Sequence, residues 1–230
     1  FIDCEIDHRL LVPTGSSGCN AKLDNERCFI EFALNSGGVI THESPQDAVL
    51  LVDSDVIDVN NVAKDLQKSV KGMLPDNVTG VKIHLRNEVI EGAFYHYTHG
   101  LQKHLGQCQR IAHGHRSRIE ILSDGARNTQ LEAHWANKLK DGYIATECHI
   151  LDKFQLNGIE HTRMAYHAQQ GDFVISLPSD KVFIMPMEST VENIAKYLAA
   201  IISQDNQSNI VVKAYEGLDK GAFGDATFTH

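Results

Sequence analysis

The sequence predicts an α+β fold, an antiparallel sheet of hairpins carrying paired helices. Three observations predict it. Short runs rich in β-branched and aromatic residues recur along the chain, several of them alternating apolar with polar positions. Helical patterns stand between these runs, one with hydroxyl capping residues at its start. The third observation is an internal repeat, in which "LVDSDVIDVNNVAKDL" (51–66) is echoed by "FIMPMESTVENIAKYL" (183–198).

Taken in order, "FIDCEIDHRLLVP" (1–13) opens without a turn or cap and reads as the end of a helix running into a loop, so residues before Phe1 are expected. "RCFIEFAL" (27–34) is a strand. In the first copy of the repeat a strand enters a helix, and "GVKIHLRNE" (80–88) follows as a β-rich run. Val59, Asn61, Ala63, Lys64 and Leu66 recur 132 residues later as Val191, Asn193, Ala195, Lys196 and Leu198, and Val62 recurs as Ile194. Between the copies, "VIEGAFYHYTHGL" (89–101), "HGHRSRIEIL" (113–122), "DGYIATECHIL" (141–151), "TRMAYHA" (162–168) and "DFVISLP" (172–178) read as strands, and "NTQLEAHWANKL" (128–139) as a helix. The second copy has Ser189 or Thr190 to cap its helix and Glu192 in the first turn, beside the positive helix end. The closing strand "NIVVKAYEG" (209–217) puts Val212, Ala214 and Glu216 on one face. The repeat implies two related modules, 1–88 and 89–230, the first incomplete at its N-terminus.

Bulk properties bound the function. The chain has 230 residues, 42% hydrophobic and 22% charged, ordinary for a soluble globular protein. A net charge of −9 argues against a nucleic-acid groove but leaves room for a small anionic ligand. No apolar run approaches membrane-spanning length, and no signal-peptide pattern is visible, so a cytoplasmic location is expected. Five cysteines, an odd number without a C-x-x-C pair, argue against a disulfide framework and fit a reducing compartment. Most of them are expected to be small buried apolar residues.

The 13 histidines are less ordinary. In "GQCQRIAHGHRSRIEI" (106–121), His113 and His115 are two apart on a strand and project from the same face. Two imidazoles so placed suit zinc, which takes nitrogen ligands at about 2.0–2.1 Å. A third ligand should come from the neighbouring strand, where His99 has His96 and His104 as rivals. Three histidines leave a tetrahedral position open, the arrangement of a catalytic site. Spacing leaves three roles for Cys108: fourth ligand, nucleophile or base, or inert thiol. An H-x-H pair also arises by chance in surface or core histidines.

"HGL…CQRIAHGHRSRIEI" resembles the core motif of the 6-pyruvoyl-tetrahydropterin synthase and 6-carboxy-tetrahydropterin synthase family. "STVENIAKYL" is similar to the family's T-x-E-N helix start, "VKAYEG" to its strand ending in a pterin-binding glutamate, and "DHRLLVP" to its Asp-His pair. The resemblance covers most of the chain in ordered patches. It implies two tandem tunnelling-fold (T-fold) modules, a zinc ion on His99, His113 and His115, and a catalytic Cys108. It implies further that Glu216 clamps the 2-amino-pyrimidinone edge of a pterin, with Thr190 and Glu192 lining the same pocket. Without it, Glu216 would read as a solvated strand-end carboxylate, and Thr190 and Glu192 as plain helix capping. The implied substrate is 7,8-dihydroneopterin triphosphate. The implied product is 6-carboxy-5,6,7,8-tetrahydropterin, on the way to queuosine and other 7-deazapurines, with 6-pyruvoyl-tetrahydropterin as the alternative. A homo-oligomer is implied too. The rival from another class is a non-catalytic, zinc-stabilised pterin-binding protein.

One departure matters. The Asp-His pair, Asp7 and His8, lies in the first module and the metal motif in the second, whereas in the family the cysteine and this pair come from adjacent subunits. A tandem fusion would turn that intersubunit site into an intermodule one.

Overall fold

The computed structural model describes residues 8–86 and 88–229. Asp7 and Cys4 lie outside the described residues. Two large sheets and one parallel strand pair make up the β-structure. β1 (Leu10–Pro13) and β5 (Val49–Val52) form the pair. Between them run β2 (Cys19–Asp24), β3 (Arg27–Ala33) and β4 (Val39–Pro45), an antiparallel meander. A 3-10 turn at Gln46–Ala48 leads from β4 to β5, and helix α1 (Val59–Lys71) follows. Asp58 caps α1, accepting 2.8 Å bonds from the Asn60 and Asn61 amides, and Val62, Leu66 and Val70 form its buried stripe.

The rest of the chain builds the larger body. β6 (Phe94–His99) and β7 (His113–Ser123) pair antiparallel. The short β8 (Ala126–Arg127) and helix α2 (Thr129–Lys138) carry the chain over to β9 (Gly142–Thr146), which lies parallel to β6 as such a crossover requires. The meander β10 (Ile150–Leu156), β11 (Ile159–Ala168) and β12 (Gly171–Pro178) follows, then a 3-10 turn at Ser179–Lys181. β13 (Val182–Met185) pairs parallel with β9, helix α3 (Val191–Asn206) follows, and β14 (Ile210–Gly217) and β15 (Lys220–Ala226) close the chain as a hairpin.

One sheet runs β13-β9-β6-β7-β14-β15, with β8 on β7; the other runs β10-β11-β12-β4-β3-β2. The second sheet therefore takes strands from both sides of residue 88. Its centre is the β4–β12 ladder, where His42 faces Ile175, flanked by Glu43 with Val174 and Thr41 with Ser176.

The main core lies where α3 covers the first sheet. Ile194, Leu198 and Ile202, spaced four apart, pack among Ile119, Ile121, Val212 and Ala214. A side chain at Gly224 of β15 would collide with the backbone of Ala195 and Lys196, so glycine is what lets strand and helix close up. A second core gathers Ile111, Tyr143, Met164, Phe173, Ile175 and Leu177. A third lies under the N-terminal meander around Val12, Cys28, Ile30 and Val49.

Several expectations need correction. The sheet β13-β9-β6-β7-β14-β15 is mixed rather than antiparallel, because β6–β9 and β9–β13 are parallel, and β1–β5 is a separate parallel pair; the other large sheet is antiparallel throughout. "GVKIHLRNE" alternates but forms no strand; it pairs with no other strand among the described residues, and backbone groups without a ladder stay irregular. Residues 10–13, read as loop, form β1. Cys19 and Cys28 are buried as expected, but Cys148 is exposed and Cys108 half-buried. Among the described residues no helix is long and apolar enough to cross a membrane.

Candidate functional site

The β6–β7 register puts His99 directly opposite His113, and Tyr97 opposite His115. Period-two alternation then aims all three imidazoles the same way. Ring centroids are 4.4 Å apart for His99 and His113, 5.1 Å for His99 and His115, and 5.5 Å for His113 and His115. The ligand nitrogens of the three lie within 4.8 Å of one another. The glycine after His99 is required, since a side chain at Gly100 would collide with Tyr166 Oη and Ile111 Cα.

Each imidazole is held from behind by a carbonyl oxygen. His99 Nδ1 lies 3.0 Å from Ser189 O and 2.9 Å from Ser189 Oγ, His113 Nδ1 2.8 Å from Arg110 O, and His115 Nδ1 3.1 Å from Glu216 O. A carbonyl can only accept, so each Nδ1 carries the proton and each Nε2 presents a lone pair. Nε2 of His99 and of His113 is buried with no hydrogen-bond partner among the described residues. Burial, reinforced by the neighbouring imidazoles, pushes the His99 pKa well below the usual histidine range, and burial pushes His113 down to about 3. Neutral rings, a fixed tautomer and converging orphan lone pairs are what a divalent metal needs from its ligands. The residues present therefore fit zinc.

The rival histidines stand elsewhere. His96 projects from the other face of β6 and lies 3.1 Å from Asp141 Oδ1. It borders a cavity of about 780 Å³ shared with Thr98, Arg116 and Lys181. His104 is exposed, its Nδ1 3.0 Å from Leu105 O.

Cys108 lies on a 3-10 turn, Gly106–Gln109, between β6 and β7. The turn is fastened by the Leu101 amide, which donates to Cys108 O at 2.9 Å. Beside it, the buried Arg110 reaches Gln107 Oε1 at 2.8 Å and Asp47 Oδ2 at 3.3 Å, the latter in the N-terminal half. That half supplies a further group. His8 takes a left-handed backbone, φ 53°, just before β1, and its Nε2 lies 3.4 Å from Cys108 Sγ. Its ring centroid is 4.8 Å from that of His113. His8, Cys108 and His113 thus form a second group whose ligand atoms lie within 4.8 Å of one another.

Glu216 occupies an irregularity of the β14–β15 ladder. Tyr215 pairs with Gly221 and Gly217 with Lys220, which leaves Glu216 as the extra residue of a β-bulge. A bulge re-aims a side chain that alternation would fix. Here the Glu216 carbonyl meets His115 while the carboxylate meets Lys220 Nζ at 2.6 Å. Thr190 is the N-cap of α3, accepting a long 3.4 Å bond from the Asn193 amide. Ser189 beside it turns to His99 instead. Glu192 is exposed in the first turn of α3, and its charge acts on Lys220.

The structure thus brings together His99, His113, His115, Cys108 and His8, with Glu216 joined to the cluster through its carbonyl. Sequence reasoning missed Lys220, Ser189 and Arg110. Ser189 had a signal, as a hydroxyl at a helix start. Lys220 had none, because its partnership depends on the bulge and hairpin.

The sequence model of the family described as 6-pyruvoyl tetrahydropterin synthase matches residues 89–223. A search of curated proteins gives no match. Among solved structures, two catalytic-residue mutants of 6-pyruvoyltetrahydropterin synthase from Plasmodium vivax align at 13% identity and a TM-score of 0.40, covering 58% of this chain and 91% of theirs. A further structure of that Plasmodium vivax synthase aligns at 13% identity and a TM-score of 0.39, over 59% of this chain and 91% of its own.

Proposed function

The chain belongs to the 6-pyruvoyl tetrahydropterin synthase family, and on that footing we propose that it is a zinc-dependent pterin synthase acting on 7,8-dihydroneopterin triphosphate. The observation that carries the reading is the pair of buried Nε2 atoms of His99 and His113, which have no hydrogen-bond partner among the described residues and are aimed beside a cysteine–histidine couple. His99, His113 and His115 would hold the metal. Zinc, when bound, supplies a Lewis acid that polarises side-chain oxygens and lowers their pKa.

The protein's own groups do the rest. Glu216 accepts the ring edge, since a carboxylate can take two parallel N–H bonds. Thr190 and Glu192 border that pocket from the start of α3. Cys108 moves protons along the substrate side chain, and His8 Nε2, 3.4 Å from Sγ, takes or returns the thiol proton. Asp7, outside the described residues, would fix the His8 tautomer by accepting a hydrogen bond from its ring. Cleavage of the side chain after its first carbon, with water taken up and triphosphate and a two-carbon aldehyde leaving, would oxidise that carbon to the carboxyl as the ring is reduced and give 6-carboxy-5,6,7,8-tetrahydropterin, which feeds 7-deazapurine and queuosine synthesis. Triphosphate elimination with internal redox would give 6-pyruvoyl-tetrahydropterin instead.

We further propose that the chain is a tandem pair of T-fold modules, 1–88 and 89–230. The succession parallel strand, three-stranded meander, 3-10 turn, parallel strand, helix occurs twice, as β1 to α1 and β9 to α3, the second with an added 3-10 turn at Glu147–His149 after its first strand. Superposing Pro45 on Pro178 matches His42 with Ile175, and these two face each other in the β4–β12 ladder. The copies therefore meet about a local two-fold axis. On this reading a site that adjacent subunits share elsewhere in the family is assembled within one chain, from His8 and Cys108. Further association into a cytoplasmic homo-oligomer is part of the proposal.

One observation favours a second reading. Cys108 Sγ stands within ligand range of His8 and His113, so a thiolate-bound, non-catalytic zinc protein is the competitor. One experiment separates the two. Zinc content and product formation from dihydroneopterin triphosphate are measured for His113→Ala and Cys108→Ala. The synthase reading expects His113→Ala to lose stoichiometric zinc and Cys108→Ala to keep zinc but lose turnover. Zinc lost in step with activity in Cys108→Ala would favour the binding protein. Full zinc in His113→Ala would remove the metal assignment.

A further inference from the structure

Glu216 is not an open acceptor. Lys220 Nζ reaches its Oε1 at 2.6 Å across a tight hairpin of Leu218 and Asp219. The two partners differ in setting: the Glu216 side chain is 17% exposed and that of Lys220 76%. The carboxylate is built into the site, while the ammonium reaches over it from solvent on a flexible four-carbon stem. The hydrogen bond and charge of Glu216 hold the Lys220 pKa up, with Cys108 and Glu192 adding to the effect, and the ammonium in turn acts on His115. Each of these groups belongs to the site described above.

We propose that Lys220 is a gate on Glu216: it takes a carboxylate oxygen that a ring edge with two adjacent N–H donors must take, and it is displaced when such a ring binds. The inference rests on reading Glu216 as the ring-edge acceptor. A fork of two parallel bonds needs both oxygens turned to one edge, and the Lys220 ammonium on Oε1 competes with the ring for that oxygen. Displacement is affordable because one bond to an exposed ammonium is exchanged for two bonds from the ring, and the freed ammonium returns to water. A purely structural pair would behave differently, since removing it could only loosen the hairpin and weaken binding. Lys220 is thus a positioning residue. It holds the carboxylate in place when no ring is bound, and it sets the affinity of the site below what Glu216 alone would give.

The test is calorimetric titration of the zinc-loaded full chain with 7,8-dihydroneopterin, which has the ring edge but no phosphates whose charge salt could screen. Lys220→Met keeps the stem and removes the charge. It is expected to bind about two- to fivefold tighter than the unaltered protein, the range an exposed ion pair commands. Raising the salt from about 0.05 to about 0.5 M should tighten binding to the unaltered protein by screening the pair, and leave Lys220→Met unchanged. Lys220→Arg should restore the original affinity and salt response. Equal or weaker binding by a folded, zinc-containing Lys220→Met overturns the gate. Glu216→Gln, titrated alongside, separates the two levels. If it binds as tightly as the unaltered protein, the ring-edge reading fails; if it binds more weakly while Lys220→Met shows no gain, only the gate fails.

Discussion

His42 is a buried histidine at the centre of the β4–β12 ladder, and it makes the fold sensitive to acid. It is 3% exposed, and its Nδ1 has no hydrogen-bond partner among the described residues. Burial, with a smaller push from Arg27, lowers its pKa to about 4. The folded form therefore binds fewer protons than the unfolded chain between about 6.5 and 4, so stability falls as pH drops through that window. By pH 5 the loss from this residue alone is on the order of 2 kcal/mol. His42→Leu should narrow the gap between melting temperatures at pH 7.5 and pH 5, at little cost at the higher pH, because an unpaired polar atom is replaced by an apolar group of similar size. An unchanged gap would mean that the acid sensitivity lies in other histidines. The histidines differed in how legible they were. His113 and His115 declare themselves by a period of two. The place of His42 depends on a strand more than a hundred residues away, and nothing local marks it. Lys220 is invisible for a related reason, since the bulge that brings it to Glu216 is a property of the ladder.

At the scale of elements, the start of α3 does two jobs with adjacent hydroxyls. Thr190 caps the helix, and Ser189 supplies carbonyl and hydroxyl acceptors to His99. Thr190→Ala should cost about 0.5–1 kcal/mol of stability and, by loosening the turn that holds Ser189, weaken zinc binding up to about tenfold, toward the low end for lost outer-shell support. Thr190→Ser should restore both, as read by thermal melts and competitive chelator titration. If Thr190→Ser restores stability but turnover stays low, the threonine methyl touches the substrate and capping is not its whole role. The helices themselves were readable because caps and apolar stripes are local. The strands that escaped, β1, β2, β4, β8, most of β10, and β15, are short or polar on one face, and only their neighbours make them strands. "GVKIHLRNE" errs the other way, with the right alternation and no ladder to join.

At the scale of the whole molecule, the helix repeat that suggests two modules was legible in the sequence, but the strand pairing between the two halves was not. No sequence pattern says that β4 and β12 should meet centrally, but the family resemblance of "DHRLLVP" points to a site shared by His8 and Cys108. That contact, 3.4 Å between residues a hundred positions apart, has a consequence in mass action. A couple recruited from two separate polypeptides is lost as protein is diluted, because encounter depends on concentration. Tethered partners see each other at an effective concentration fixed by the fold. The specific activity of this chain should therefore hold constant into the nanomolar range, followed by product formation over serial dilution. A fall with the first power of concentration would mean that the working couple is made between chains. A flat response would mean that carrying both residues on one chain makes the couple independent of cellular abundance, so that a scarce copy works as well as a plentiful one.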